Sequence, residues 1–235
     1  MGVRNPIIVA LDLPTAERAV DLAQRVSDHV GAFKIGLGLL HGPGPGTIDA
    51  LVRLGKPVFA DAKLHDIPSQ IEAAAYRLGT HGARWVTAHV SGGLPMLEAA
   101  VRGLERGSGA AEAGILGVSV LTSLDKADLE RLGIQRTPGQ LVGKMAKVAQ
   151  AAGCEGLVCS PQELNVVGQA APELAKVTPG IRPSELDDDQ TRVATPREAI
   201  DRGADWLVSG RPITAALDPA KAAAEIAASL GSATQ

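Results

Sequence analysis

The chain has little cysteine, few aromatic residues and no long apolar run. Its 235 residues include only Cys154 and Cys159 as cysteines, too few for a disulfide framework or a cysteine-rich zinc site, which favours a reducing, cytoplasmic location. Five aromatic residues and a net charge of −3 argue against nucleic-acid binding, which usually needs stacking rings or a basic face. The apolar run at residues 6–11 ends at Asp12 and is far too short to be a membrane span or a signal peptide.

What the sequence has is a regular alternation of short apolar runs with segments of helical spacing. Hydrophobic residues make up 45% of the chain and charged residues 21%, a composition typical of a globular protein with a full core. The helical spacing, as at residues 16–26 and 71–78, predicts βαβ units and parallel strands. We predict eight strands, at residues 7–12, 32–36, 57–61, 85–89, 114–121, 156–159, 174–178 and 206–209.

Eight strands with eight connections predict an α/β fold, a (β/α)8 TIM barrel that forms a single domain over residues 1–235. The alternative is an open doubly wound sheet, which would need a Gly-x-Gly-x-x-Gly turn after the first strand. Asp12-Leu13-Pro14-Thr15 stands there instead, so the barrel is favoured.

Glycine and proline mark the connections. Five glycines precede strands at the left-handed position that ends a helix, namely Gly31, Gly55, Gly82, Gly153 and Gly203. The Gly/Pro-rich residues 41–46 are predicted to be a loop that follows the second strand. The polar residues 182–195 form the longest connection and are predicted to be a lid after the seventh strand.

Polar residues stand in or just after most of the predicted strands. The carboxyl ends of the strands of a parallel barrel meet at one rim, where active sites lie. The residues predicted to meet there include Asp12, Lys34, Asp61, Lys63, Thr87, His89, Thr122, Arg182, Ser209 and Arg211. Because buried charge costs free energy, stability alone does not explain so many polar groups at one rim.

The most informative stretch is Asp61-Ala62-Lys63-Leu64-His65-Asp66, at the end of the third strand. Side chains at positions i and i+2 of a strand share a face, so Asp61 and Lys63 are predicted to project together. On its own, an Asp-x-Lys pair is more often a structural salt bridge than a catalytic pair. The surrounding rim therefore decides how the stretch is interpreted.

Two glycine–arginine pairs follow the last two strands and predict a phosphate site. Gly210 and Arg211 open a short helix after the eighth strand, and Gly180 and Arg182 follow the seventh. Helix-start N–H groups beside a guanidinium bind anions, and barrels often hold phosphate at these two loops. Either pair alone is equally well a turn glycine beside a solvated arginine, but two pairs on adjacent strand ends favour phosphate.

Asp61-x-Lys63-x-x-Asp66-Ile67-Pro68 resembles the signature of the orotidine 5′-monophosphate decarboxylase family. The resemblance extends over residues 7–219 and includes, in the family's order, Val9-Ala10-Leu11-Asp12, Phe33-Lys34-Ile35-Gly36, Leu121-Thr122-Ser123, Thr178-Pro179-Gly180-Ile181-Arg182, Asp188-Asp189-Gln190, Ala194-Thr195-Pro196 and Gly210-Arg211-Pro212-Ile213-Thr214.

The resemblance implies a homodimeric lyase without cofactor or metal, which converts orotidine 5′-monophosphate (OMP) to uridine 5′-monophosphate (UMP) and CO₂ in pyrimidine biosynthesis. It implies that the catalytic residues are Lys34, Asp61, Lys63 and Asp66, with Asp66 donated by the other subunit. Lys63 would stabilise and protonate a carbanion at C6 of the pyrimidine. The implied substrate-binding residues are Asp12 and Lys34 for the ribose, Thr122 for the base, Arg182, Gly210 and Arg211 for the phosphate, and Gln190 for both phosphate and base.

Two departures and two alternatives accompany the resemblance. Gln70 stands where the family commonly has Thr, and Gly38 where it often has Glu. A Mg²⁺-dependent sugar-phosphate decarboxylase or aldolase of the same superfamily would have a metal-binding Glu at the position of Lys34. A non-catalytic sensor of phosphate ligands would not need the charge network. His65 and His89 are interpreted as structural or supporting residues, and Cys159 as a small buried residue instead of a nucleophile.

Overall fold

The structure is a computed structural model that describes residues 5–182 and 194–231. Each apolar run of the sequence forms a strand whose side chains are largely buried, as expected for strands covered on both faces. The strands are β1 Ile7–Ala10, β2 Ala32–Ile35, β3 Val58–Leu64, β4 Trp85–His89, β5 Gly114–Val118, β6 Gly156–Val158, β7 Ala175–Thr178 and β8 Trp206–Ser209.

Helices connect the strands, and side chains cap several of them. Thr15 accepts a hydrogen bond from the N–H of Arg18 at the start of α1, and Thr195 forms a capping box with Glu198 in α9. The helices are α1 Ala16–Val26, α2 Leu37–His41, α3 Gly46–Val52, α4 Pro68–Thr80, α5 Leu94–Ser108, α6 Lys126–Arg131, α7 Pro138–Ala151, α8 Leu164–Ala170, α9 Pro196–Asp201, α10 Arg211–Thr214 and α11 Pro219–Ser229.

The eight strands pair in chain order, all in parallel, and β8 closes on β1. This closed barrel confirms the predicted (β/α)8 fold. Large side chains that point inward, among them Ile8, Phe59, Trp85 and Trp206, fill the barrel, and a second core lies between the strands and the helices. None of the helices in residues 5–182 and 194–231 is long and apolar enough to cross a membrane.

All eight strands were predicted, but several local predictions were wrong, among them the ends of β1 and β5, which lie at Ala10 and Val118 instead of at residues 12 and 121. Strand β3 continues to Leu64 instead of ending at Asp61, and α2 begins directly after β2, so the Gly/Pro-rich residues follow that helix. Gly31 has no positive φ. A Cβ there would lie 2.0 Å from the carbonyl oxygen of Asn5, so close backbone contact explains this glycine. Gly55, Gly82, Gly153 and Gly203 do adopt positive φ, as predicted.

Helices α4 and α5 pack against each other through glycine. A Cβ on Gly103 or Gly107 would lie 2.2 Å from the carbonyl oxygen of Glu72 or Tyr76, respectively. The two helix backbones therefore approach more closely than any larger side chain would allow. Helix α4 begins at Pro68, directly after the turn that carries Asp66, so this packing holds the base of that turn.

Candidate active site

A cavity of about 360 Å³ opens at the carboxyl ends of the strands. The structure brings eight of the predicted site residues to its lining, namely Asp12, Lys34, Asp61, Lys63, Thr122, Arg182, Gly210 and Arg211. Gln190, like most of the predicted lid, lies outside the described residues. Most of the rim predicted from strand ends therefore lines one cleft, but three predicted rim residues, Thr87, His89 and Ser209, are not among the described residues of its lining.

A chain of alternating charges lies along one side of the cleft. Lys34 Nζ lies 3.2 Å from Asp12 Oδ1 and 3.6 Å from Asp61 Oδ2. Lys63 Nζ donates a hydrogen bond of 2.5 Å to Asp61 Oδ1. The prediction that Asp61 and Lys63 project together is confirmed. The Asp61 carboxylate thus lies between two ammonium groups, one on β2 and one further along its own strand.

Burial and charge act in opposite directions on Asp61. Burial alone would raise the pKa of this carboxyl group, but the charges of Lys34 and Lys63, with hydrogen bonds from Lys63 and Thr87, outweigh it and lower the pKa below its ordinary value of 3.8. Asp61 is therefore ionised at neutral pH, although the side chain is largely buried. A fixed anion here holds both ammonium groups in place.

The backbone of β3 is irregular where it carries these groups. Ala60 pairs with Val86 and Leu64 pairs with Ala88, so Asp61, Ala62 and Lys63 all stand opposite the single residue Thr87. Lys63 has φ of 49°, in the left-handed region that non-glycine residues rarely adopt. A bulge of this kind redirects side chains beside active sites, and here it directs Lys63 into the cleft.

Asp66 lies apart from this network within its own chain. Among the residues that the structure describes, those that line the cleft do not include Asp66. The side chain is exposed, and its Oδ1 accepts a hydrogen bond of 2.6 Å from the N–H of Ile67. Ile67 itself is 62% exposed, which is high for a large apolar residue.

The two predicted glycine–arginine pairs lie on the same side of the cleft. Gly180 has φ of 79°, and Arg182, which is only 7% exposed, donates a hydrogen bond of 3.0 Å to the carbonyl oxygen of Ile181. Gly210 immediately precedes α10, which begins at Arg211. Two guanidinium groups and two glycine turns form a cationic end to the cavity, which suits a phosphate.

Part of the lining was missed by the sequence predictions. Apolar residues, among them Phe59, Val118, Val158, Cys159 and Val208, also line the cavity. Val118, Val158 and Val208 stand at inward positions of their strands, so the period of two in each strand could have identified them as inward-facing.

The Cys159 thiol lines the cavity but is not a nucleophile. Burial raises its pKa to about 12, and the nearby charges of Glu163 and Asp205 add to this effect, so the thiol is neutral and unreactive.

His65 and His89 pack against each other beside the charge network, with ring centroids 5.3 Å apart. His65 follows the bulge in β3, and His89 ends β4. Burial, followed by the charges of His65 and Lys63, lowers the pKa of His89 below 6.5. The lowered pKa favours the neutral form of the His89 ring, and the structural or supporting role of both histidines stays a prediction.

This site defines a class of protein: a parallel barrel whose rim combines an interlocked lysine–aspartate network with a cationic pocket for an anionic group. Comparison with known proteins identifies the family within that class. Residues 5–226 match the model of the orotidine 5′-phosphate decarboxylase / HUMPS family. The chain therefore belongs to this family.

Relatives of nearly the same length bear the decarboxylase name. The chain is 46% identical to an orotidine 5′-phosphate decarboxylase from Anaeromyxobacter sp. (strain K), a match that covers 95% of this chain and 97% of the relative. It is 44% identical to an orotidine 5′-phosphate decarboxylase from Pseudomonas aeruginosa, a match that covers 97% of this chain and 98% of the relative. A crystal structure of the enzyme from Lactobacillus acidophilus superposes with a TM-score of 0.85 at 33% identity, over 97% of this chain and all of that one.

Proposed function

We propose that the protein is an orotidine 5′-phosphate decarboxylase, a carboxy-lyase of pyrimidine biosynthesis that converts OMP to UMP and CO₂. The observation that carries the proposal is the Lys34–Asp61–Lys63 network at one side of a cleft whose other end holds Arg182 and Arg211. A nucleoside monophosphate with a carboxylated base matches both ends of this cleft. The named relatives support the same reaction.

Lys63 is the proposed proton donor. When the bond between C6 and the carboxylate breaks, its electron pair remains on C6, and CO₂ leaves. The ammonium of Lys63 stabilises that carbanion and then transfers a proton from Nζ to C6, which yields UMP. Asp61 keeps Lys63 charged and oriented before substrate arrives, and preorganised charge of this kind stabilises a transition state more effectively than water does.

The remaining contacts are proposed by position along the cleft. Asp12 and Lys34 bind the ribose hydroxyl groups, since they lie together beside the network. Thr122 binds the edge of the pyrimidine, and Gly210, with the two arginines, binds the phosphate. Gln190 is proposed to contact both phosphate and base.

We also propose a homodimer in which Asp66 completes the partner's network. Asp66 is exposed and lies outside its own cleft, in a turn beside the exposed Ile67, and Leu94 is a further exposed apolar residue, at 40%. Mixing inactive Lys63→Ala and Asp66→Ala subunits tests the arrangement, because a mixed dimer would contain one intact site. Random exchange would then restore about a quarter of the wild-type activity, whereas a site built within one chain would give no restoration.

The direct test of the function is release of CO₂ from OMP by the purified protein in excess EDTA. Turnover under these conditions is expected. Turnover that EDTA abolishes and Mg²⁺ restores would support the metal-dependent alternative, which the named relatives do not favour. The positions of Lys34 and Lys63 also argue against it, because a divalent cation at Asp61 would meet two ammonium groups. Tight nucleotide binding without turnover would support a sensor.

A cytoplasmic location is part of the proposal, supported by two free, buried cysteines that form no disulfide. That residues 1–235 form one domain also stays a prediction. Limited proteolysis of the purified protein tests the single domain, and thiol titration after unfolding tests whether the two cysteines are free.

A further inference from the structure

We propose that Thr87 is a positioning residue that fixes the position of Asp61 relative to Lys63. This role rests on the proposed decarboxylation. Thr87 lies in the middle of β4, points into the barrel and is fully buried. It stands opposite the bulge of β3, where one residue of β4 faces three of β3.

A single hydroxyl group of Thr87 contacts both catalytic residues. Its Oγ1 accepts a hydrogen bond of 2.9 Å from the backbone N–H of Lys63 and donates one of 2.9 Å to Asp61 Oδ1. The same Oδ1 accepts the 2.5 Å hydrogen bond from Lys63 Nζ. Thr87, Asp61 and Lys63 therefore form a closed ring of hydrogen bonds that includes both the backbone and the side chain of Lys63.

The bulge gives this hydroxyl group a specific task. Because β3 leaves the regular ladder between Ala60 and Leu64, the N–H of Lys63 is bonded to a side chain of β4 instead of a backbone carbonyl group. Lys63 also adopts a left-handed backbone that is unfavourable for a residue with a Cβ. Thr87 supplies the contact that holds this conformation, and with it the direction of the ammonium group into the cleft.

The hydrogen bond to Asp61 adds an electrostatic effect. The hydroxyl group is one of the donors that, with the charges of Lys34 and Lys63, overcome burial and lower the pKa of Asp61. Without this donor the pKa of Asp61 rises, and Asp61 loses charge at a higher pH. Thr87 therefore influences both the geometry and the protonation state of the pair.

Three variants separate these effects from general packing. Thr87→Val keeps the shape and removes the hydroxyl group, whereas Thr87→Ser keeps the hydroxyl group and removes the methyl group. Thr47→Val is the matched control, because Thr47 is 3% exposed on α3 and its Oγ1 has no hydrogen-bond partner in the described part of the chain. For each variant, kcat, KM for OMP, the pH profile of kcat/KM and the melting temperature are measured.

We expect Thr87→Val to lower kcat by about 10²-fold, the effect of a displacement of about 1 Å in a reacting group, with KM changed by less than about 3-fold. The acid limb of the kcat/KM profile of Thr87→Val should move to higher pH. Thr87→Ser should restore kcat to within about 3-fold of wild type and the acid limb to its original position, and Thr47→Val should match wild type in kcat.

The proposal is overturned if Thr87→Val retains kcat within about 3-fold of wild type, or if the valine and serine variants lose kcat equally. Should the valine variant fail to fold, Thr87→Ala and Thr87→Ser provide the same comparison, and equal kcat values in those two would also overturn it. An unmodified protein that releases no CO₂ would refute the proposed function and this role together. Active wild-type protein with active Thr87→Val refutes the role of Thr87 alone.

Discussion

The two ends of the barrel both contain buried or half-buried charge, but they use it differently. At the amino-terminal end, the guanidinium of Arg84 forms two hydrogen bonds, of 2.5 Å and 2.8 Å, with the carboxylate of Glu155. Trp85 donates a third, of 2.9 Å, to the same carboxylate, and the guanidinium lies 4.8 Å from the centre of the Trp85 ring. Trp206 packs edge-on against Trp85 at 5.0 Å. We call these four residues the floor cluster.

In the floor cluster, the charges of Arg84 and Glu155 compensate each other, whereas the charges of the rim face an open cavity. At the floor, Arg84 pairs with Glu155, the exposed carboxylate of Glu112 lies 3.9 Å from the same guanidinium, and the strands beside them pair in regular register. At the rim, two ammonium groups share the buried carboxylate of Asp61, the strand is irregular, and both lysines line an open cavity. Satisfied charge with regular backbone indicates stability, and shared charge with strained backbone indicates function.

Among the three changes that compare the two ends of the barrel, the largest effect should come from removing the anion of the rim. Asp61→Asn removes the anion between Lys34 and Lys63, so the two ammonium groups repel each other and Lys63 loses its orientation. We expect kcat to fall by about 10³-fold, comparable to the loss of a preorganised electrostatic group. The measurement is steady-state release of CO₂ from OMP. A fall of less than about 10-fold would show that the rim network is not what orients Lys63.

A change at the floor cluster should affect stability and leave catalysis unchanged. Glu155→Gln removes the negative charge that pairs with Arg84 and replaces one of the two carboxylate oxygens that accept hydrogen bonds from Arg84 and Trp85. We expect the free energy of unfolding to fall by about 2 kcal/mol, which lowers Tm by roughly 4–8 °C, because a hydrogen-bonded ion pair is broken. Thermal unfolding measures the shift, and kcat on OMP serves as the control. An unchanged Tm, or a lower kcat, would remove the distinction between the two ends.

The smallest effect should be the pH dependence contributed by His89. Its pKa is lowered in the folded state, chiefly by burial, so the unfolded chain, with the ordinary value of 6.5, takes up the proton first. This contribution to stability is therefore complete above about pH 6.5 and is lost as pH falls towards the lower folded pKa. Tm measured from about pH 8 to about pH 5 should fall less in His89→Gln than in wild type. Parallel curves for the two proteins would contradict the shift.

Much of the fold could be predicted because the signals were local. Eight apolar runs marked eight strands, and four of the five glycines predicted to be left-handed adopt that conformation. Gly31 does not follow this pattern. Glycine is required there by a close contact with the backbone of Asn5, which is distant in sequence. The true end of β3 was missed for the same reason, since the N–H of Lys63 in the bulge donates its hydrogen bond to Thr87 on β4, which is distant in sequence.

The charged part of the site was also predictable, and the apolar part less so. Charges at strand ends identified Lys34, Asp61 and Lys63 because burying them requires partners. The period of two marks the valines of the apolar lining as inward-facing, but their position in the cleft, and not deeper in the barrel, depends on how the neighbouring strands align. Thr87 was recognised as a strand-end residue, but its two bonds follow from the register between β3 and β4.

The most direct test of the central claim is the turnover of Lys63→Ala on OMP, measured as CO₂ release beside its circular dichroism spectrum and Tm. The account predicts a loss of at least about 10⁴-fold in kcat, because both the carbanion-stabilising charge and the proton donor are removed, with a spectrum and Tm close to those of wild type. Near-normal turnover in a folded Lys63→Ala protein would contradict the claim that the rim network performs the reaction.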